Sequence, residues 1–312
     1  MWRLYPRYHV WSVMVAITIW IYEAIRNLLP RKLDPPDIFN ERAAEALALT
    51  GFQHVSRIGE MRGHSALLSA LVERWRPETH TFHLPVGEVT VTLEDVIHIL
   101  GLHVNGEPVT GRSDSSYQFL VDNCLACFGR QPGPDDHVLG KVNLHWVRRC
   151  RDSEPCDTQE SIERYVRAHI FCVLGTVVFP DKSTTSLNSK FLPLLRDFHQ
   201  ISQYSWGAAS LAHLYRSLCR ASRYNCKEMD GPLILLFVWA WERMPFMAPI
   251  PRNQLLDIGV PLARRYCGVI GAGIQDIHGG LRRSLDEDSM TWESMILHGG
   301  RISTWMFRSN SA

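Results

Sequence analysis

The strongest constraint on the fold is a set of three long apolar segments in the second half of the chain. They read SIERYVRAHIFCVLGTVVF at 161–179, SWGAASLAHLYRSLCRASR at 205–223 and GPLILLFVWAWERM at 231–244. Each is longer than the roughly 4–8 residues of a buried strand, and its apolar residues recur with helical spacing. No alternation of strands with helices runs through the sequence, and it contains no internal repeat. The sequence therefore predicts a mainly α-helical, multi-helix globular domain of the α+β class.

A short β-hairpin and a capped helix are predicted between residues 79 and 102. The β-type runs THTFHL and GEVTVT flank Pro85 and Val86, which form a turn-capable pair. Thr92 stands three residues before Asp95, which is close to a capping box, and Gly101 offers a C-terminal stop. Four apolar residues of this segment are predicted to face the core: Val96, Ile97, Leu100 and Leu102.

Two more helices are predicted before the hairpin, and the tryptophans are assigned to the core. Asn40 can cap a short helix that Gly51 ends, and SALLSALVERW at 65–75 forms a second helix that Pro77 closes. Large aromatic residues in apolar helical surroundings are most often core residues. The core is therefore predicted to contain Trp75, Trp206, Trp239 and Trp241.

Composition indicates an ordinary globular protein and excludes two classes. Of the 312 residues, 46% are hydrophobic and 21% are charged, which argues against intrinsic disorder. The eight cysteines are spread along the chain, several of them in apolar runs, so a disulfide-stapled secreted scaffold is excluded and a reducing compartment is predicted. The formal charge of +1 provides no global attraction to nucleic acid, so any such site must be a local patch.

The chain is predicted to divide into a leader at 1–33, one globular domain at 34–300 and a tail at 301–312. The domain is expected to carry a loop-rich insertion at about 111–160, where the helical pattern weakens. The leader contains an apolar run at 10–22 that continues to residue 25, shorter than the roughly 20 residues that span a membrane. The run is interpreted as a docking helix, and a membrane anchor through residues 10–25 is the alternative.

No metal site is predicted, although four cysteines are kept as weak candidates. Cys124 and Cys127 form a C-x-x-C pair, whereas Cys150 and Cys156 form an irregular second pair. Structural zinc usually takes two closely spaced pairs of thiolate or imidazole ligands. Two histidine pairs are also interpreted as structural. His80 and His83 fall on opposite faces of a strand, and Glu94 with His98 lacks a third ligand.

A basic stripe is the best candidate for binding a polyanion. Arg216, Arg220 and Arg223 are spaced i, i+4 and i+7, and Lys227 follows them. On one helix these arginines would lie together, opposite an apolar face. That face is predicted to consist of Trp206, Leu211, Leu214 and Leu218. Such a stripe can contact phosphates of DNA or RNA, or it can be a solvated face paired with carboxylates.

The longest motifs resemble one protein family. These are GHSALLSALVERWRPETHTFHLPVGEVTVTLEDVIHILGLHVNGEPVTG, VLGTVVFPDKS, FLPLLRDFHQISQYSWGAASLAHLYRSLCRAS and GPLILLFVWAWERMP, within residues 46–251. They are similar to the plant mobile domain, also labelled aminotransferase-like, and to its MAINTENANCE OF MERISTEMS-like members. The resemblance implies a transposon-derived nuclear domain that takes part in meristem maintenance, genome integrity and transposon silencing. It also implies a phosphatase-like or chromatin-associated partner, and it supplies no catalytic residues.

The aminotransferase-like label raises the question of a pyridoxal lysine, for which Lys182 in FPDKS is the obvious candidate. Such a cofactor also needs a phosphate cup and an acidic partner for its ring nitrogen. Asp181 is adjacent, but the sequence has no glycine-rich phosphate loop and no Gly-x-Ser-x-Gly elbow. No cofactor and no enzymatic activity are therefore expected.

Two functions remain open from the sequence. The first is a non-enzymatic nuclear interaction scaffold, and the second is a nucleic-acid-binding module that uses the basic stripe. The first predicts arginines paired with carboxylates of the domain, and the second predicts arginines open to solvent.

Overall fold

A computed structural model describes residues 40–59, 61, 65–84, 87–112, 114, 116–183, 185–223, 226, 228–245, 248–249 and 260–266. The α-helices in these ranges are α1 Glu41–Leu49, α2 Ser65–Arg74, α3 Leu93–Leu100, α4 Tyr117–Phe128, α5 Leu144–Asp152, α6 Gln159–Val173, α7 Trp206–Ala221 and α8 Leu233–Arg243. The strands are β1 Trp75–Arg76, β2 Thr81–Leu84, β3 Gly87–Val89, β4 His137–Val138, β5 Lys141–Asn143 and β6 Ser186–Asn188.

The predicted fold class is confirmed, because helices dominate and the strands form two small sheets. Both sheets are three-stranded and antiparallel, with strand orders β1-β2-β3 and β4-β5-β6. The predicted hairpin is β2 and β3, and in this sheet Phe82 pairs with Trp75 on one side and Val89 on the other. The second sheet was not predicted, since β6 follows β5 only after two intervening helices.

Local signals at the helix ends behave as predicted. Asn40 accepts a hydrogen bond of 2.9 Å from the backbone N–H of Arg42. Thr92 and Asp95 form the full capping box of α3, and Gly101 ends that helix in the left-handed conformation at φ 68°. The prediction for Ile97 is wrong. Its side chain is exposed, whereas Val96, Leu100 and Leu102 are buried, because one residue turns a helix by about 100° and carries Ile97 away from the core.

The segment at 111–160 is more regular than predicted. It contains α4, the β4–β5 hairpin and α5, so Tyr117–Phe128 and Leu144–Asp152 are helices within the stretch expected to be rich in loops. Clear local signals do bound α4. Ser116 caps its first turn through a hydrogen bond of 3.2 Å from the N–H of Phe119, and Gly129 ends it at φ 66°.

The core surrounds α6, which packs against α1, α4 and α5 and is buried throughout 165–173. After Val173 the helix widens into a π-helical turn, Leu174–Val178. The tryptophan prediction is confirmed, because all four predicted core tryptophans are buried. Trp75 joins the first sheet to α7, since its ring lies 4.9 Å from that of Phe82 and 5.3 Å from that of Tyr215.

Several predictions concern residues outside the described ranges. These are the leader at 1–33 with its possible anchor at 10–25, the tail at 301–312, and Lys227. Among the residues whose structure is given, no helix is both long enough and apolar enough to cross a membrane.

Candidate nucleic-acid interface

Helix α7 carries the first two arginines of the predicted stripe. Its buried face contains Trp206, Leu211, Leu214 and Leu218, as predicted. Arg216 and Arg220 lie on the exposed side. The single-helix stripe is wrong for Arg223, because α7 ends at Ala221 and Ser222 closes the helix. Arg223 is exposed on the following turn, where its backbone N–H donates to the Arg220 carbonyl at 3.4 Å.

The arginines differ in their partners. Arg220 forms an ion pair with Asp230, whose side chain is only 10% exposed, and also donates to Ser217 Oγ at 3.3 Å. Arg216 and Arg223 form no ion pair with any carboxylate in the described part of the chain. One arginine thus fits the expectation for a scaffold, and two fit the expectation for a phosphate-binding surface.

Lys190 adds a further cation beside α7. It is half-buried, and its Nζ lies 4.7 Å from the centre of the Phe191 ring. Burial lowers the pKa of Lys190, and the positive charges of Arg216 and Lys141 lower it further, although Asp181 opposes them. The positive charges of Lys190, Arg216 and Lys141 are therefore only partly neutralised by the carboxylate of Asp181.

The cationic residues in this region form what we call the basic face. Lys141 belongs to it, although its Nζ pairs with Asp181 at 2.9 Å. Its members come from the second sheet, the segment after β6, helix α7 and the turn after α7. They are Lys141, Lys190, Arg216, Arg220 and Arg223.

An open cavity of about 330 Å³, lined by both polar and apolar side chains, adjoins the basic face and was not predicted. Its wall contains Arg112, Phe119, Asn123 and Arg196. The backbone N–H of Arg112 donates to the Lys190 carbonyl at 3.0 Å, which joins this wall to the basic face. No local motif marks the cavity, since its residues come from the loop before α4, from α4 itself and from the segment after β6.

Lys182 does not have the surroundings of a cofactor lysine. Its exposed Nζ pairs with Glu228 at 3.3 Å, as surface lysines commonly do. Nearby His213 places Nε2 3.1 Å from the Pro180 carbonyl, and burial lowers the pKa of this histidine. Lys182 and His213 thus both have partners within the protein.

The four candidate cysteines are buried and reduced. Burial is the main cause that raises their pKa values, to about 12 for Cys127 and about 11 for Cys150. Cys127 Sγ lies 3.5 Å from the Leu192 carbonyl, so this thiol has a contact within the core. Across the described ranges, no three or more His, Cys, Asp or Glu residues are grouped so that they could hold a metal ion.

The histidine pairs have structural contacts. His80 lies in the turn before β2, at φ 54°, and its ring stacks on Tyr215 at 5.6 Å. His83 is in β2 and lies 3.5 Å from Glu88. His98 and Glu94 form an exposed i, i+4 pair at 3.8 Å.

Comparison with known proteins identifies the family. The family model described as Plant mobile domain matches residues 51–306. The chain belongs to the plant mobile domain family. The resemblance found in the sequence at 46–251 is thereby confirmed, and the family match extends further toward the C-terminus. No solved structure matches the chain significantly.

Members of the plant mobile domain family from Arabidopsis thaliana are similar to this chain over most of its length. Protein MAIN-LIKE 1 is 35% identical over 248 residues, which is 78% of this chain and 48% of that protein. Protein MAINTENANCE OF MERISTEMS is 35% identical over 219 residues, 70% of this chain and 45% of that protein.

A third relative is much longer. The protein named Serine/threonine-protein phosphatase 7 long form homolog, also from Arabidopsis thaliana, is 43% identical over 210 residues, 67% of this chain but 15% of that protein. The chain therefore spans less than half the length of each of these three relatives.

Proposed function

We propose that this plant mobile domain is a non-enzymatic nuclear interaction module that binds nucleic acid through the basic face. The observation that carries the proposal is the position of Arg216. It is exposed, its positive charge lowers the pKa of half-buried Lys190, and it forms no ion pair among the described residues. A phosphate group would neutralise this accumulated positive charge and release counterions.

The surroundings of Arg216 suit a polyanion better than a single anion. Arg220 and Arg223 continue the positive surface along α7 and beyond it, and Lys141 continues it into the second sheet. Arg220 keeps its bond to Asp230, so it adds charge while the helix end stays anchored. A strand of nucleic acid presents phosphates at regular intervals that such a row of cations can follow.

The names of the relatives support a role in meristem maintenance, because one of them is Protein MAINTENANCE OF MERISTEMS. Genome integrity and transposon silencing, which the resemblance implied, are part of the proposal and agree with a domain that contacts nucleic acid directly. The proposed cellular location is the nucleus.

The test is a titration of the full 312-residue chain against labelled single- and double-stranded DNA and RNA at several salt concentrations. We expect affinity to fall with salt, with a logarithmic slope of about −0.7 per single-strand phosphate contact. Changing Arg216 and Arg223 to Glu should abolish binding and leave the fold intact.

The matched control changes Arg42 and Arg57 to Glu. Both are exposed and lie outside the basic face, on α1 and the turn after it, and the net charge changes by the same amount. Binding that the control variant loses equally would show only a global charge effect. Absence of binding by the unchanged chain would refute the proposal.

A second candidate is a protein scaffold that binds a phosphatase-like or chromatin-associated partner. Two observations favour it. The similarity to the phosphatase 7 long form homolog is confined to 15% of that protein, so a comparable domain exists within a much longer chain of that name. The tip of the β4–β5 hairpin exposes Val138 and Leu139, and Leu139 is 87% exposed. Purification of the tagged chain with and without Val138→Ser and Leu139→Ser, followed by identification of a phosphatase lost only from the variant, tests this candidate.

A further inference from the structure

The tip of the β4–β5 hairpin places an apolar side chain on a strained backbone. Val138 pairs with Lys141, so Leu139 and Gly140 form a two-residue loop between the strands. Both loop residues have positive φ, 40° for Leu139 and 75° for Gly140, as in a type I′ turn. The first position of such a turn favours asparagine or glycine, because a bulky side chain at positive φ is strained.

Leucine is unfavourable at position 139 for a second reason. Its side chain is almost fully exposed, so no burial within the domain offsets the backbone strain. Strained backbone conformations that the fold does not itself require are found most often at functional sites. The side chain of Leu139 therefore indicates a contact that another molecule completes.

Hydrogen bonds hold the tip of the hairpin to the segment that carries the basic face. The Gly140 carbonyl accepts one from the backbone N–H of Ser189 at 3.0 Å and another from the Ser189 hydroxyl at 2.5 Å. Ser189 immediately precedes Lys190, which is a member of the basic face. Because the tip is fixed in this way, little ordering is needed when Leu139 contacts a ligand, and less conformational entropy is lost.

Strand pairing also places the tip beside a cation. Val138 and Lys141 lie directly opposite each other and share one face of the second sheet. The next residue of β5, Val142, points to the other face and is fully buried. The face with Val138 and Lys141 is therefore the outer one, and exposed Val138 extends the apolar surface of Leu139 toward Lys141.

The charges around the hairpin favour a polyanion that approaches from one side. Lys141 in β5 and Lys190 after β6 lie on one side of β4, since the strand order is β4-β5-β6. On the other side, exposed Asp135 comes shortly before β4. An anionic membrane would surround the tip and bring its headgroups against this carboxylate, whereas a nucleic acid that crosses the basic face reaches Leu139 from the cationic side.

We propose that Leu139 is a wedge that inserts between two base pairs of duplex DNA bound to the basic face. Leucine wedges of other proteins partly unstack one base step and kink the duplex, whereas surfaces for single strands use aromatic side chains on which bases stack. The inference rests on the proposed function. It deepens that function by assigning a bent duplex as the ligand.

The experiment uses the full chain and a DNA duplex of about 20 base pairs with 2-aminopurine in place of adenine at its TA steps, which kink easily. Unstacking raises the 2-aminopurine fluorescence, energy transfer between labelled ends reports the bend, and anisotropy at several salt concentrations gives the affinity. A single strand of the same length and vesicles of anionic lipid are the comparison probes.

Three variants are compared with the unchanged chain. Leu139→Asn removes the wedge and suits the turn, whereas Leu139→Met keeps an apolar side chain at the tip. Leu49→Asn is the matched control, because it removes another exposed leucine, at the end of α1 and outside the basic face.

We expect the unchanged chain, Leu139→Met and Leu49→Asn to raise the fluorescence and bend the duplex. Leu139→Asn should abolish both effects and weaken binding by up to about tenfold, with an unchanged salt slope because the phosphate contacts remain. It should also raise the melting temperature of the protein, since Asn-Gly is a favoured type I′ pair. A purely structural role for Leu139 would not give loss of unstacking in a more stable protein.

The outcomes separate this inference from the proposed function. If the unchanged chain binds the duplex without unstacking it, binds only the single strand, or unstacks the duplex equally well as Leu139→Asn, the wedge is overturned and the proposed function stands. If vesicles or a protein partner depend on Leu139 while the duplex does not, the tip serves that ligand and the wedge is again overturned. If no nucleic acid binds, both fail.

Discussion

The backbone N–H of Arg112 donates a hydrogen bond of 3.0 Å to the carbonyl of Lys190. This bond joins the loop before α4 to the segment after β6, and Lys190 in turn lies near Arg216 on α7. Three cations from distant parts of the sequence thereby belong to one surface. The cavity and the basic face are neighbours for this reason.

Substitution of Arg220 should lower the stability of the fold, whereas substitution of Arg216 should affect binding alone. Arg220→Gln leaves the mostly buried carboxylate of Asp230 without its ion-pair partner, so we expect the free energy of unfolding to fall by about 1 kcal/mol. Arg216→Gln should change it by less than about 0.5 kcal/mol, because Arg216 is exposed and forms no ion pair in the described ranges. Urea denaturation measures both, and equal losses would contradict the assignment of Arg216 to binding.

Two glycines that end helices, Gly101 and Gly129, form a matched pair for testing close packing. Gly101 ends α3 at φ 68° and Gly129 ends α4 at φ 66°, so alanine meets the same backbone strain of about 1–2 kcal/mol at each. A Cβ at Gly101 would lie 2.7 Å from His54 Cβ, whereas one at Gly129 would meet only the flexible end of Arg164. We expect Gly101→Ala to lower the melting temperature more than Gly129→Ala, and equal shifts would refute this account.

His169 should make the domain sensitive to acid. Burial, and then the charge of Arg151, lowers the pKa of His169 from 6.5 to about 3 in the folded protein. Between these two values the unfolded chain binds a proton that the folded chain does not, so stability falls as the pH falls below about 6.5. The expected contribution at pH 5 is a loss of about 2 kcal/mol. Unfolding free energies measured from pH 7 to 5 should fall less steeply for His169→Gln, and parallel curves would exclude this role.

Two tyrosine hydroxyls should respond oppositely to removal. The hydroxyl of Tyr165 is buried without a partner among the described residues, so Tyr165→Phe should leave stability unchanged or raise it by up to about 1 kcal/mol. The hydroxyl of Tyr215 donates to the Val91 carbonyl at 2.7 Å, and Tyr215→Phe should lower stability by about 1–2 kcal/mol. Thermal and chemical denaturation of both variants check this, and a larger loss at Tyr165 would indicate a partner.

The buried thiols should be unreactive in the folded protein. Burial raises the pKa of Cys172 to about 11 and that of Cys127 to about 12, so little thiolate exists at pH 8. Among the seven cysteines that the structure describes, half-buried Cys219 and Cys226 should react first with a disulfide reagent, and the buried thiols only on unfolding. A chelator should leave the melting temperature unchanged, whereas stoichiometric zinc in the purified protein would contradict the prediction that the chain has no metal site.

The sequence predicts the candidate surface only in part. The i, i+4 spacing placed Arg216 and Arg220 on one face of α7, because helical periodicity is local. It could not show that α7 stops before Arg223, nor that the charge of Arg216 acts on Lys190. The cavity around Asn123 was missed altogether, since polar residues within α4 carry no sign of which neighbours they will meet.

The sequence by itself determined the features that depend on contacts between residues close in the chain, or on a pattern that extends over many residues. The capping box of Thr92 and Asp95, the buried face of α7, the mainly helical class and the family membership are of this kind. Only the tertiary structure decided which cations are neutralised and which acceptor is left without a donor. The reason is that Asp230 meets Arg220, and Arg112 meets Lys190, through packing between segments that lie apart in the chain, and no local pattern encodes such contacts.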